Sequence, residues 1–346
     1  MSGISERLRE MKKQTEAGWV FLATVLVYLA MSIVFTFWQP PTNIRLVFVQ
    51  VILILPTLCY LCINKLNIRE ALRIRKIKWI NVPLLIVFAF LILPLLAVCN
   101  AVSMLFSSNV ISGTVGDVLD SIPLIFSLVF IALIPCILEE SVYRGMFYNE
   151  FRKIKPLQAA LLSGLLFGLM HMNFNQFLYA FALGCILPLV IEATDSIVAT
   201  MIIHFTINAN STIWMYLLPK LMKMMENTVK EMEQSQDAAT RALLNGAKAD
   251  NADSLNQMMN NVGSNKAALL GSIGFYAVVG VVTAILAFQV YKTIAKNEGR
   301  WEIVQAMFKK NPQHQTEGKK EHLLSVPLCV GMLLCVIMMI ITHLST

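Results

Sequence analysis

Three ionisable side chains stand close together in an otherwise apolar stretch, ALIPCILEESVYRGMF at residues 132–147. Glu139 and Glu140 are adjacent, and Arg144 follows Glu140 by four residues, about one helical turn. Glu140 and Arg144 can therefore pair and offset part of each other's cost of burial. Glu139 is rotated by about 100° from Glu140 on a helix, so it is left to face a different neighbour. A carboxylate in such a position can act as a general base in hydrolysis.

Two histidines also lie inside apolar runs. His171 occurs in LLFGLMHMNF, four residues after Phe167, and His204 occurs in TMIIHFTINAN, four residues before Asn208. A single histidine on an apolar helix is more often a hydrogen-bonded packing residue than a catalyst, and an asparagine in a span commonly joins helices. However, a charged residue at a helix centre costs on the order of 2.5–3.5 kcal/mol, so ionisable residues within spans indicate a functional site by default.

The spacing along the chain predicts that these residues meet. The sequence KIKP indicates a turn near residue 155 between two antiparallel helices, with Glu139 sixteen residues before it and His171 sixteen residues after it. On helices that rise about 1.5 Å per residue, the two side chains reach the same depth. A second turn, at EATDS, brings His204 into the bilayer from the same side. We therefore expect one polar site within the membrane.

The composition predicts that membrane helices position this site. Of 346 residues, 57% are hydrophobic and only 14% are charged, with a mean hydropathy of +0.65. A soluble domain is nearer to about 25% charged. Several apolar runs reach the length of about 20 residues that crosses a bilayer. We predict an all-α polytopic membrane protein with about eight or nine transmembrane helices and a polar intramembrane active site. The predicted spans are 18–38, 45–63, 79–105, 121–150, 157–172, 176–191, 197–219, 267–291 and 323–344.

The distribution of basic residues predicts the orientation of the spans. Lys and Arg cluster before the first span and in the loops after the second, fourth and eighth, whereas WQPPTN and residues 106–120 contain none. The positive-inside rule then places the N-terminus in the cytoplasm of what we expect to be a bacterial cell membrane. No cleavage site of small residues follows the first apolar run, so we expect no removable signal peptide. Topology and lipid headgroups explain the basic residues, so the bilayer is an expected partner and nucleic acid is not.

The chain divides into four parts on these grounds. Residues 1–120 form N-terminal membrane helices with cytoplasmic basic loops, and residues 121–219 form the helical core that carries the polar residues. Residues 220–266 form an extracytoplasmic loop, and residues 267–346 form two membrane helices joined by a cytoplasmic basic loop. The first half of the extracytoplasmic loop has apolar residues at helical spacing, which predicts an amphipathic helix at the membrane surface. We favour a connector over a substrate-binding cap for this loop.

Three short motifs in the core resemble those of a known family. EESVYR at 139–144 matches E-E-x-x-x-R, FGLMH at 167–171 matches F-x-x-x-H, and HFTIN at 204–208 matches H-x-x-x-N. In this order the motifs resemble the CPBP family of CAAX-protease and bacteriocin-processing (Abi) intramembrane proteases. The resemblance covers about 120–215. It implies an intramembrane endopeptidase that acts on a membrane-associated peptide or protein.

The resemblance also implies a role for each matched residue. Glu139 and His171 would hold and activate a water molecule, while His204 and Asn208 would donate hydrogen bonds to the oxyanion. Glu140 would hold this geometry and tune Glu139. The supporting residues of the motifs are Arg144 and Phe167.

A metal-centred version of this chemistry is an alternative. Glu139, His171 and His204 could supply three ligands to a divalent metal such as zinc, with water as the fourth. Members of the family are often called metalloproteases. Against this version, no H-E-x-x-H sequence occurs in the chain, and the family is also described as using a glutamate-activated water without bound metal. We therefore favour the version without a cofactor, and a divalent metal such as zinc stays the open alternative.

The rival function is that of a non-proteolytic membrane protein. A bacteriocin-immunity or scaffold protein could bind a peptide or partner in the same polar cavity without using Glu139 as a base. A proton-coupled carrier would usually show broken helices or inverted repeats, and the sequence indicates neither. The enzyme is the favoured interpretation.

The loop at 220–266 provides the test of the predicted topology. A cysteine introduced by Thr240→Cys should react with a membrane-impermeant thiol reagent in intact cells, because this loop is predicted to be extracytoplasmic. Lys76→Cys, in a loop predicted to be cytoplasmic, is the matched control and should react only after permeabilisation. Labelling of Thr240→Cys from the cytoplasmic side alone would reverse the orientation and change the number of spans.

Overall fold

The computed structural model describes residues 2–107, 122–153, 155–234, 266–309 and 323–345. These residues contain helices and no strand, which confirms the predicted all-helical fold class. The helices are α1 (Ser2–Trp38), α2 (Thr42–Ile63), α3 (Ile68–Ala71), α4 (Asn81–Met104), α5 (Leu124–Phe151), α6 (Pro156–Leu169), α7 (Phe174–Thr194), α8 (Ile197–Gln234), α9 (Lys266–Asn297), α10 (Trp301–Phe308) and α11 (Val326–Leu344).

Seven helices of the described residues are long and apolar enough to cross a membrane, namely α1, α2, α4, α5, α7, α9 and α11. The chain is therefore an integral membrane protein. The predicted count of eight or nine is higher because it includes α6 and α8. Helix α6 has only 14 residues, whereas α8 contains polar side chains, among them His204 and Asn208, which lower its hydropathy.

Helix α5 is wound more loosely than an α-helix in two segments, Leu128–Leu133 and Ser141–Tyr148. The ordinary α-helical segment between them begins at Ile134 and contains Pro135. Because proline has no N–H, it cannot donate to the carbonyl one turn earlier, and the regular ladder is interrupted there. Wide turns of this kind are frequent at functional sites. Glu140 is the last residue of the α-helical segment, immediately before the second wide segment.

Helices α6 and α7 approach each other closely at two glycines. A β-carbon on Gly184 would lie 2.6 Å from the α-carbon of Gly164, which is closer than real β-carbons approach. Helix α6 is also tied to α5, because the Ser163 hydroxyl donates to the main-chain oxygen of Tyr143 at 3.0 Å. Small residues and polar links of this kind hold membrane helices together. They fix α6, which leads directly to His171, against α5 and α7.

A network of ion pairs joins the loops at one end of the bundle. Glu192 is almost fully buried and accepts hydrogen bonds from Arg152 Nε at 2.5 Å, Arg152 Nη2 at 2.7 Å and the Tyr148 hydroxyl at 3.0 Å. Arg73 Nη1 lies 3.5 Å from the same carboxylate, and its Nη2 pairs with Asp195. Burial lowers the pKa of Arg73 to about 10, with help from the nearby charge of Arg152, yet the side chain stays charged at neutral pH.

Two further arginines complete the network. Arg75 pairs with Asp195, and Arg300 Nε donates to the main-chain oxygen of Glu192 at 2.8 Å. Glu192 lies in the last turn of α7, and the other five residues come from the segments that follow α3, α5, α7 and α9. The basic-residue pattern assigns the segments after α3, α5 and α9 to the cytoplasm, and the ion pairs bring them together with the end of α7. The orientation of that end in the cell stays a prediction.

The segment that follows the core, residues 220–234, does not form a separate helix. Residues 220–234 continue α8 as one helix, with Leu221, Met224 and Met225 exposed. Residues 235–265 lie outside the described residues. The predicted extracytoplasmic position of this loop and the four-part division of the chain both stay predictions.

The close contact of α6 and α7 predicts the effect of Gly184→Ala. The added methyl group must push the two helices apart, so we expect a loss of about 1–3 kcal/mol in stability. The melting temperature of the purified protein in detergent measures this loss. Gly271→Ala is the matched control, because a β-carbon there meets nothing within 4 Å, and it should be neutral or slightly stabilising. Equal melting temperatures for both variants would contradict the prediction.

Candidate active site

Glu140 is the centre of the polar cluster in the core, and its side chain is fully buried. Its Oε1 accepts hydrogen bonds from Arg144 Nη1 at 2.9 Å and from His204 Nδ1 at 2.9 Å. The Arg144 side chain is also fully buried, and the pair has the four-residue spacing from which it was predicted. A buried carboxylate without partners would cost several kcal/mol. One glutamate oxygen therefore joins α5 to α8.

The ring of Phe167 packs against three members of the cluster. The Arg144 guanidinium carbon lies 4.5 Å from the ring centre, a distance that gives a cation–π contact. The rings of His171 and His204 meet the Phe167 ring in edge-to-face contacts, with centroid distances of 5.1 and 5.8 Å. Phe167 thus holds both histidines against the same aromatic side chain.

Glu139 lies in a more open position than Glu140. Its side chain is 17% exposed, and its Oε2 lies 3.8 Å from His204 Nε2. Its Oε1 accepts a hydrogen bond from Gln50 Nε2 at 3.4 Å. The two adjacent glutamates therefore face different sides of His204, because consecutive residues on a helix are rotated by about 100°.

The hydrogen bond of His171 fixes which ring nitrogen carries a proton. His171 Nδ1 lies 2.8 Å from the main-chain oxygen of Phe167. A carbonyl oxygen can only accept, so Nδ1 is the donor, and Nε2 of the neutral ring keeps a free lone pair. The ring also lies within electrostatic range of Glu139 and His204. His171 Nε2 is therefore available as a hydrogen-bond acceptor.

Asn208 lies one helical turn after His204 on α8, on the same face of that helix, and is half-buried. Contacts join the other six predicted site residues into one cluster. Asn208 lies next to this cluster because it is one turn from His204 on α8. The catalytic and supporting roles assigned to these residues stay predictions. The seven residues are Glu139, Glu140, Arg144, Phe167, His171, His204 and Asn208.

The possible metal ligands do not form a metal site as they are placed. Within the described part of the chain, no three His, Cys, Asp or Glu side chains are arranged to hold a metal ion. Glu139 Oε2 and His204 Nε2 are 3.8 Å apart, and His171 does not complete a ligand set with them. Metal independence stays a prediction.

Gln50 is a site residue that the sequence analysis missed. It lies on α2, far from the three motifs, and binds Glu139 across 89 residues of sequence. Its own carbonyl oxygen is buried without a hydrogen-bond partner among the described residues. The available signal was a single amide in the apolar run VFVQVILIL, which does not show what the amide faces.

The sequence of the core matches a known family. Residues 121–210 match the family model described as Rce1-like, type II CAAX prenyl endopeptidase. This segment is Rce1-like. It contains all three motifs, and the match confirms their resemblance to the CPBP family. At the level of the family, the Rce1-like match supports a membrane peptidase of the CAAX-protease type. No curated protein and no solved structure matches the chain.

The buried pair at the centre of the site predicts the effect of Arg144→Met. This change removes the cation and leaves the Glu140 carboxylate with His204 alone, so we expect a loss of about 3–5 kcal/mol in stability and a lower folded yield. Thermal unfolding and gel filtration in detergent measure both quantities.

Arg75→Met is the matched control for this change. Arg75 also pairs with an acid, Asp195, but its side chain is 59% exposed, so little loss is expected. The double variant Glu140→Gln with Arg144→Met should recover part of the stability, because neither buried charge remains. A fully stable but inactive Arg144→Met protein would instead give Arg144 a direct part in the chemistry.

Proposed function

We propose that the protein is an intramembrane endopeptidase that hydrolyses a peptide bond of a membrane-associated protein or peptide. The observation that carries this proposal is the position of His204 between two glutamates in the Rce1-like segment, 2.9 Å from Glu140 and 3.8 Å from Glu139. We propose that it lies in a bacterial cell membrane, and the basic-residue pattern supports a cytoplasmic N-terminus.

In the proposed mechanism, Glu139 and His171 activate the water molecule. The Glu139 carboxylate can accept a proton, and His171 Nε2 can accept a hydrogen bond because its Nδ1 donates to the Phe167 carbonyl. A water molecule between them donates one hydrogen bond to each, so its oxygen is free to attack the substrate carbonyl. The proton passes to Glu139 and then to the departing amine. Gln50 holds the Glu139 carboxylate in place through its hydrogen bond.

The proposed oxyanion donors are His204 and Asn208. His204 Nδ1 donates to Glu140, so Nε2 carries a proton only when the ring is positively charged. A charged donor stabilises an oxyanion more strongly than a neutral one. Arg144 keeps Glu140 ionised in a position where an isolated carboxylate would be too costly. This mechanism gives the two glutamates different tasks.

The substrate class follows from the setting of the site. An active site surrounded by apolar helices receives its substrate through the bilayer or from its surface. A membrane-associated peptide with a prenylated C-terminal CAAX sequence is the first substrate to test, because the matching family model is described as a CAAX prenyl endopeptidase. The bacteriocin-processing branch of the resemblance makes a membrane-active peptide the second.

The proposed role of Glu139 predicts that Glu139→Gln abolishes cleavage without loss of fold. Glutamine keeps the size and the hydrogen bonding of the side chain but cannot take up a proton under these conditions. We expect a loss of about 10²–10⁴ in rate, measured with purified protein and a panel of membrane-associated peptides. Glu226→Gln, at an exposed glutamate of α8, is the matched control and should keep full activity.

A strong chelator provides the second arm of the same experiment. The proposed mechanism predicts no effect of the chelator on the rate, whereas a zinc enzyme would lose activity and regain it when metal is added back. Full biological activity of Glu139→Gln, such as complete protection of cells against a toxic peptide, would mean that proteolysis is not the function. The immunity or scaffold role would then replace it.

A further inference from the structure

A cavity of about 490 Å³ lies between α4, α7, α9 and α10. Aliphatic and aromatic side chains line it, together with the amide of Gln305, and no charged side chain does so. None of the lining residues belongs to α5, α6 or α8, which bear the predicted catalytic glutamates and His204. Its volume is in the range of small-molecule sites. The cavity is therefore distinct from the candidate active site.

Small side chains on α9 leave the space open. Ala284 and Ala287 line the cavity on this helix, opposite Phe88 and Ile92 of α4. Ala284 is exposed at the surface of the bundle, whereas Ala287 is buried. The cavity therefore has an opening on the side of α9, and α9 lies at the edge of the bundle, where bilayer lipid surrounds it. Hydrocarbon chains of lipid are the apolar molecules at highest concentration around this opening.

Helix α10 covers one end of the cavity. Trp301, Val304 and Phe308 line the cavity from successive turns of this eight-residue helix, whereas Glu302 is exposed on it. A helix this short cannot cross a bilayer. An apolar face combined with a charged exposed residue is typical of a helix in the plane of the membrane surface. The covered end of the cavity is therefore close to the level of the lipid headgroups.

Two lysines of α9 lie near this end of the cavity. The Lys292 ammonium lies 5.6 Å from the ring centre of Trp301, and Lys296 is exposed one helical turn further along α9. Arg300, next in sequence to Trp301, belongs to the ion-pair network of Glu192 and Asp195. This network marks the end of the bundle that the sequence assigns to the cytoplasm, where anionic lipids attract basic residues.

We propose that this cavity binds one acyl chain of an anionic membrane phospholipid, whose phosphate is held at the rim by Lys292 and Lys296. The uncharged walls fit a hydrocarbon chain, and two lysines at headgroup level fit a phosphate. A lipid chain also fills apolar space that would otherwise destabilise the bundle. The two lysines at the rim favour an anionic headgroup, and the apolar walls favour a hydrocarbon chain.

Quenching of Trp301 fluorescence by brominated phospholipids tests the proposal in the full-length protein. A single-tryptophan protein retains Trp301 and has phenylalanine at the other four tryptophan positions. We expect dibromo-phosphatidylglycerol to quench Trp301 at about a 25-fold lower mole fraction than dibromo-phosphatidylcholine, which corresponds to about fivefold for each of the two lysines near the phosphate. A second single-tryptophan protein that retains the exposed Trp214 of α8 reports general contact with lipid and should show no such preference.

Two variants of the Trp301 protein locate the binding. Lys292→Gln should lower the preference for phosphatidylglycerol, and Lys223→Gln, at an exposed lysine on α8, is the matched control that should leave it unchanged. Ala287→Leu should reduce quenching by both lipids, because it fills the cavity. If Ala287→Leu does not fold, Ala284→Leu at the exposed opening replaces it in this comparison.

Three results would overturn the proposal. Equal quenching of Trp301 by the two lipids would remove the selective site, and an unchanged preference in Lys292→Gln would remove the proposed phosphate contact. Displacement of the brominated lipid by a prenylated peptide, but not by the same peptide without its prenyl group, would assign the cavity to substrate. None of these measurements uses peptidase activity, so failure of the lipid proposal would leave the proposed function untouched, and the reverse also holds.

Discussion

The buried carboxylate of Glu140 is the interaction on which the core depends. It binds a cation of its own helix, Arg144, and a ring nitrogen of α8, His204, through the same oxygen at 2.9 Å each. Because the side chain is fully buried, these contacts supply most of the stabilisation that its charge needs. Any movement of α8 away from α5 would leave the carboxylate with one partner, so the electrostatic cost of separation holds the two helices together.

The rest of the core can be understood as support for this contact. Phe167 lies against Arg144 and both histidines, and α6 holds Phe167 in place through its close packing with α7 at Gly164 and Gly184. The second wide segment of α5 begins directly after Glu140. A wide turn changes the directions of the side chains that follow, and it can offer the adjacent residues angles that a regular helix does not. The positions of the two histidines thus depend on the packing of three helices.

The sequence predicts the local part of this arrangement well and the long-range part less well. The pairing of Glu140 with Arg144 follows from a spacing of four residues, because helical geometry alone brings them together. The contact between Gln50 and Glu139 joins α2 to α5 across 89 residues, and no periodicity specifies which helices become neighbours. Helix α8 presents a different difficulty. Its polar residues indicate a functional site, but they also lower the hydropathy by which a membrane span is recognised. The cavity at α10 depends on the packing of four helices and has no sequence signal.

Helix α5 connects the two regions where buried charges occur. Glu139 and Glu140 lie near its middle, and Tyr148 and Arg152, at and just beyond its C-terminal end, bind Glu192 of α7. An ion pair that is well formed at this end restricts sliding and rotation of α5 against α7, because either motion would break charged hydrogen bonds in a site with little access to water. The helix that carries the two glutamates of the candidate site is thereby also held at its C-terminal end by this network. The same network binds Arg300, the residue before α10. Both α5, which carries the glutamates, and α10, which covers the cavity, are therefore attached to Glu192 of α7.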